Sequence, residues 1–166
     1  MKILAFESRR LSYDSSYYFM ESLVHALRNK GQEVELCRLE DVQANAGELE
    51  KYCGQHFDAV LDMNSILPLA TENDTYFLDT IDAPFFNYIV DLPLHVHQAC
   101  NVPLKHYHIL CLDEEHAKYL QQYYPHLEGV HVLPLGACVA SETQVPNDAD
   151  SRPYPILFPG TYTPLS

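Results

Sequence analysis

Pro84-Phe85-Phe86-Asn87-Tyr88-Ile89-Val90-Asp91-Leu92-Pro93-Leu94-His95-Val96-His97 is the stretch that decides the fold. From Phe85 to Val90 it is aromatic and β-branched, broken only by Asn87, with Pro84 before it and Pro93 soon after. A run this apolar suits a strand covered on both faces, as in a parallel α/β sheet. Asp91 then falls at the carboxyl end of that strand, where open α/β sheets bind their ligands. Pro93 stops the ladder, and His95 and His97 follow within four residues of it. A carboxylate and two imidazoles at such an edge can do acid–base or binding chemistry.

The segments on either side alternate in the manner this strand requires. Residues 2–6 read as a first strand, and a polar loop follows through Glu7, Ser8, Arg9 and Arg10 to Asp14. The spacing of Met20, Leu23, Val24 and Leu27 predicts a helix over 15–30, with Asp14 or Ser15 to cap its start and Gly31 to end it. Residues 33–39 alternate charged and apolar, as a strand near a sheet edge does. A short helix is expected over 47–55, a third strand over 59–63 and another short helix over 74–81. After the decisive strand come a strand over 107–112, a helix over 114–124 capped by Asp113 and stopped by Pro125, and a strand over 130–133. The alternation implies α/β architecture with a doubly wound, mostly parallel sheet. Residues 1–140 form one domain in this reading, 141–154 a polar linker, and 155–166 the first strand and loop of a further domain.

Composition narrows the class. The 166 residues are enough for a proper core, and 47% apolar content with 11% aromatics argues against disorder. No apolar run approaches the length of a membrane span, and the early run Ile3-Leu4-Ala5-Phe6 is cut short by Glu7, so a cytoplasmic protein is expected. Five widely spaced cysteines with no CxxC pair read as reduced, partly buried thiols. Net charge is −13; six basic and nine acidic residues lie in positions 1–50, and four and fourteen in positions 51–166. With no cluster of Lys or Arg, nucleic-acid partners are disfavoured. No GxGxxG follows the first strand and no Walker A sequence occurs, which disfavours dinucleotide and P-loop chemistry.

The order of motifs resembles a known family. The strand over 85–90 followed by Asp91-Leu92-Pro93-Leu94, the strand ending Leu112-Asp113, the segment Val132-Leu133-Pro134-Leu135-Gly136-Ala137, and Ile156-Leu157-Phe158-Pro159-Gly160-Thr161-Tyr162 together resemble the CgeB-like, spore-maturation-type glycosyltransferases. The resemblance covers residues 84–163 in motif and the rest in fold pattern. It implies the amino-terminal half of a GT-B architecture, two Rossmann-like domains facing across a cleft, with the sugar acceptor held here and the nucleotide-sugar donor held by a carboxyl-terminal domain missing from this chain. This fragment alone is then expected to bind no cofactor and transfer no sugar. Two departures stand out: Glu7-Ser8-Arg9-Arg10 occupies the place of a glycine-rich turn, and the donor domain is absent.

Under that resemblance Asp91 is a candidate general base for the acceptor hydroxyl, or a group that positions it; otherwise it caps the turn before Pro93. His95 is a candidate base or donor-phosphate contact. His97 shares a face with His95 on a strand but not on a helix. Ser8, Arg9 and Arg10 can face the same cleft, an arginine gripping a phosphate or carboxylate with two nitrogens; the alternative is a solvated loop. Gly160 and Thr161 can approach donor phosphates through backbone amides. Asp91, His95 and His97 can also be weighed as a metal set, but the HxH pattern recurs at His106 and His108 and loses specificity; the implied displacement at the anomeric carbon requires no protein-bound metal. The alternative from another class is a non-catalytic α/β binding or interaction module of receiver-like or flavodoxin-like shape. A receiver needs acids after its first strand and an acceptor Asp ending its third, which Glu7 and Asp62 allow, but no Lys ends the fifth strand.

Overall fold

The computed structural model describes residues 1–8, 15–39 and 46–136. Asp14, Arg9, Arg10, the linker and the final segment with Gly160 and Thr161 lie outside the described residues. In chain order the elements are β1 (Lys2–Glu7), α1 (Ser15–Asn29), β2 (Glu33–Arg38), α2 (Ala46–Glu50), β3 (Ala59–Met63), β4 (Thr71–Glu72), β5 (Thr75–Tyr76), β6 (Phe85–Ile89), α3 (His97–Cys100), β7 (Tyr107–Cys111), α4 (Glu114–Tyr123) and β8 (Gly129–Val132). One-turn 3₁₀ segments span Leu67–Leu69, Phe77–Thr80 and Pro93–Val96.

Six strands form one parallel sheet in the order β2-β1-β3-β6-β7-β8, so β6 is internal, as its apolar run requires. The period of two sends alternate residues to opposite faces. Leu4, Phe6, Val60, Phe85, Ile89, Tyr107, Ile109 and Cys111 join one core cluster, with Leu49 of α2, Cys100 of α3, and Ala117 and Leu120 of α4. Ile3, Ala5, Met63 and Tyr88 join the other, with Met20 and Val24 of α1. Helices thus lie on both faces, and the fold is doubly wound α/β of Rossmann-like type. No described helix is long and apolar enough to cross a membrane.

Local signals explain the helix ends. Gly31 takes φ +78°, which a residue without Cβ adopts freely. Its N–H donates to the Arg28 carbonyl at 2.9 Å and that of Gln32 to the Leu27 carbonyl at 3.1 Å, closing α1 with a Schellman motif. At the start of α4, Asp113 accepts from the His116 N–H at 2.8 Å, with Glu114 and Glu115 in the first turn where the helix dipole favours them.

Three expectations need correction. Residues 74–81 are not a helix: Asn73 (φ +49°) and Asp74 (φ +63°) make a two-residue turn joining antiparallel β4 and β5, and only Phe77–Thr80 coils, as 3₁₀. Two left-handed residues in succession give the turn that matches hairpin twist. The helix expected over 47–55 spans only Ala46–Glu50. Strand β1 runs one residue further than expected, through Glu7, whose carboxylate is buried and paired with Arg38 Nε of the adjacent strand at 3.2 Å.

Candidate functional site

Strand β1 has β2 on one side and β3 on the other, so the order of the sheet reverses between β1 and β3. In open α/β sheets the crevice for ligands forms outside the carboxyl ends of the strands at such a point. Two residues meet there. Ser8 follows β1 and is buried; Asp62 lies near the end of β3 and is 2% exposed. The Ser8 hydroxyl donates a short hydrogen bond to Asp62 Oδ2. The Met63 N–H donates to Asp62 Oδ1 at 2.7 Å, and the Ser8 N–H approaches the same oxygen at 3.4 Å. Burial pushes the Asp62 carboxyl up to about 7, against the pull of these donors, which favour the ionised form.

The chain leaves β3 through Asn64, whose φ of +46° is uncommon outside glycine and tolerated best by Asn and Asp. Asn64 is fully buried and stitches two strand ends together: its Oδ1 accepts from the Val90 N–H at 3.0 Å, and its Nδ2 donates to Asp91 Oδ2 at 2.9 Å. This turn brings Ser65 over Ser8, with the two hydroxyl oxygens 3.2 Å apart. Ser8 Oγ also accepts from the Ile66 N–H at 3.3 Å, and Ser65 Oγ from the Leu67 N–H at 3.1 Å. Beneath them the Ser65 N–H donates to Asn87 Oδ1 at 2.9 Å, while Asn87 Nδ2 donates to the Tyr107 hydroxyl at 3.1 Å. Asn87, the one polar break in the decisive strand, is thus a buried amide with a partner at both its oxygen and its nitrogen, and it holds the loop after β3 in place.

In front of this wall lies a cleft of about 340 Å³, lined by Ser65, Ile66 and Leu69 on one side and by His95, Gln98 and Ala99 on the other. His95 stands on the 3₁₀ turn after Pro93 and is exposed. His97 opens α3, so the two imidazoles sit in helical geometry and do not share a face. His97 Nδ1 donates to the Leu94 carbonyl at 3.1 Å instead. Asp91 is exposed, tied to Asn64, and is not among the side chains lining the cleft. Of the residues singled out from sequence, the fold therefore puts His95 on the cleft, Ser8 one layer behind it through Ser65, and Asp91 at the strand end beside Asn64. Among the described residues no group of three or more His, Cys, Asp or Glu side chains converges as a metal ion requires.

The sequence points to Asp62 only as the acceptor of the receiver-like alternative, and to Asn64 and Ser65 not at all. The rule that drew attention to Asp91, the carboxyl end of a strand, points equally to Asp62-Met63-Asn64-Ser65 after β3. The chain matches no known family model, no curated protein and no solved structure.

Proposed function

We propose that this chain is the acceptor-side domain of a glycosyltransferase that moves a sugar from a nucleotide-sugar donor to a hydroxyl-bearing acceptor. The observation that supports it best is the cleft at the carboxyl edge, where the His95 imidazole and Ser65 face one opening beside the topological switch point. The acceptor hydroxyl enters this cleft, His95 takes its proton as the oxygen attacks the anomeric carbon, and the nucleoside diphosphate leaves. Asp91, held by Asn64 at the end of β6 and outside the cleft lining, is the alternative base or a group that orients the acceptor. The donor half of the reaction belongs to a second domain that closes over this edge.

One observation favours a second reading, a non-catalytic binding module of flavodoxin-like shape: five of the six sheet strands follow the flavodoxin-like order. The receiver version fits poorly. A phosphoacceptor Asp must be open to its donor, and Asp62 is sealed behind Ser8.

The test is sugar transfer by the complete enzyme containing this domain, over a panel of nucleotide-sugars, with His95→Gln and Asp91→Asn measured beside thermal melts. Loss of a general base costs about 10²–10⁴-fold in rate. The expected result is a folded His95→Gln or Asp91→Asn protein whose turnover falls at least about a hundredfold. No transfer from any donor by the unaltered enzyme, or near-normal turnover in both variants, rejects the proposal.

A further inference from the structure

Strands β7 and β8 bring two imidazoles together away from the cleft. His108 stands opposite Gly129 in the parallel register, and His131 follows Gly129 by two residues, so both side chains stand on one face of the sheet. A Cβ built on Gly129 would lie 2.6 Å from His108 Nδ1 and 2.7 Å from His131 Nε2. Two ring nitrogens therefore flank one point, and the glycine keeps that point clear of side chain. His108 Cε1 is farther from it, at 3.3 Å, so His108 turns a nitrogen and not its ring face toward the gap. The surroundings prepare that nitrogen as a ligand. His108 Nδ1 is buried without a hydrogen-bond partner among the described residues, which is uncommon for a buried polar atom. The other nitrogen, Nε2, is 3.9 Å from Glu128 Oε2, which His106 Nδ1 holds at 2.8 Å. The carboxylate draws the ring hydrogen to Nε2 and leaves Nδ1 a bare lone pair, as the carboxylate behind a metal-binding histidine does. Burial, helped by His131 and His106 and opposed by Glu128, holds the His108 pKa below its ordinary value and keeps the ring neutral, the form that ligates. His131 is exposed, which gives an ion a way in.

We propose that His108 Nδ1 and His131 Nε2 bind a divalent transition ion of the copper, nickel and zinc class beside Gly129, clipping the edge strand β8 to β7. Imidazole suits these ions, whereas magnesium and calcium seek oxygen ligands. The ion lies outward of the Cβ point, clear of the Gly129 Cα, and bonds of about 2.0–2.1 Å to the two nitrogens take small ring rotations. Among the described residues no third His, Cys, Asp or Glu converges there, so water fills the remaining positions and binding is reversible. The site is separate from the cleft and does not rest on the acceptor-side reading.

Zn²⁺ titrated into this chain after chelator treatment tests it, with the histidine ring nitrogens and the backbone amides followed by NMR. The chain has nine histidines, so the signals are read residue by residue. The expected result is saturable shifts, one ion per chain, largest at His108 Nδ1, His131 Nε2 and the Gly129 amide. Ni²⁺ should broaden the same signals, and Mg²⁺ at equal concentration should move none of them. Loss of a group that only supports a ligand costs about 10–100-fold in metal affinity. His131→Gln, which removes a ligand at an exposed position, should therefore weaken Zn²⁺ at least about tenfold. Gly129→Ala keeps both imidazoles but puts a methyl between them, and should abolish the saturable shifts. Thermal melts run beside both variants, and His131→Gln decides the matter should Gly129→Ala fail to fold. Shifts centred on other histidines, no saturable shift at all, or a His131→Gln protein that binds Zn²⁺ as tightly as the parent overturns the proposal. Mg²⁺ moving the same signals overturns it as well, since the attraction is then to charge and not to imidazole.

Discussion

The two ends of the parallel sheet handle buried polar groups in opposite ways. At the carboxyl edge, Asp62, Ser8, Ser65 and Asn87 form a connected set in which each buried group has partners, and a cleft of about 340 Å³ opens in front of it. Toward the amino edge, β7 and β8 bring His108 and His131 together, their rings stacked with centroids 5.7 Å apart, and Phe86 stacks on His108 at 4.7 Å. His108 Nδ1 is buried there without a hydrogen-bond partner among the described residues. The indentation at this end, lined by Leu78, Asp79 and Lys105 among others, encloses only about 20 Å³. One end is a satisfied network with room in front of it; the other is a packed aromatic stack with no room. A ligand site needs oriented polar groups and space together, and the carboxyl edge has both.

The contrast has a signature in pH. Asp62 has a folded value of about 7 against an ordinary 3.8, so its contribution to stability is fully present below pH 3.8 and is lost as pH rises through 7. The full span amounts to about 4 kcal/mol. His108 is the reverse case. Burial, helped by the neighbouring His131 and His106 and opposed by Glu128, holds its folded value below 6.5, so stability is lost as pH falls below that ordinary value. Thermal melts between pH 5 and 8 should therefore show Asp62→Asn losing the alkaline decline and His108→Phe, which keeps a ring against Phe86 but cannot protonate, losing the acid decline. Should both variants keep the unaltered protein's pH profile, the two ends do not differ as described.

A smaller effect probes the aromatic end by itself. A Cβ on Gly129 would lie 2.6 Å from His108 Nδ1 and 2.7 Å from His131 Nε2, closer than side-chain atoms pack. Gly129→Ala must push the imidazoles apart, and His108 is backed by Phe86. Overpacking of this kind costs about 1–3 kcal/mol, read as a lowered denaturation midpoint with an unchanged slope. An alanine variant as stable as the parent means that the ring stack yields freely.

Much of this was legible in the chain. Residues 85–90 are apolar for long enough that an internal strand was the natural reading, and the 3.6-residue spacing of Met20, Leu23, Val24 and Leu27 gave α1. The β4–β5 hairpin was missed because its strands are two residues each, too short for any periodicity, and the signal is the Asn73-Asp74 pair alone. The importance of Asp62 was hidden for a different reason. A single acid in Ala59–Met63 is compatible with an exposed edge, and its burial depends on Ser8, 54 residues away in sequence. Asp91 and His95 were found because both follow a strand that announced itself. That His95 reaches the cleft while Asp91 does not depends on the 3₁₀ turn at Pro93–Val96, and HxH spacing by itself leaves strand and helix open.

We propose that a hydroxyl-bearing ligand binds at the carboxyl edge and not at the amino edge. Amide chemical shifts recorded while this chain is titrated with methyl β-D-glucoside test it most directly. Saturable shifts are expected at Ser65, Ile66, His95 and Gln98, with Lys105, His106 and Glu128 unmoved. Saturable shifts centred on Lys105, His106 and Glu128, or a titration in which the amides of Ser65 and His95 do not move, would contradict it.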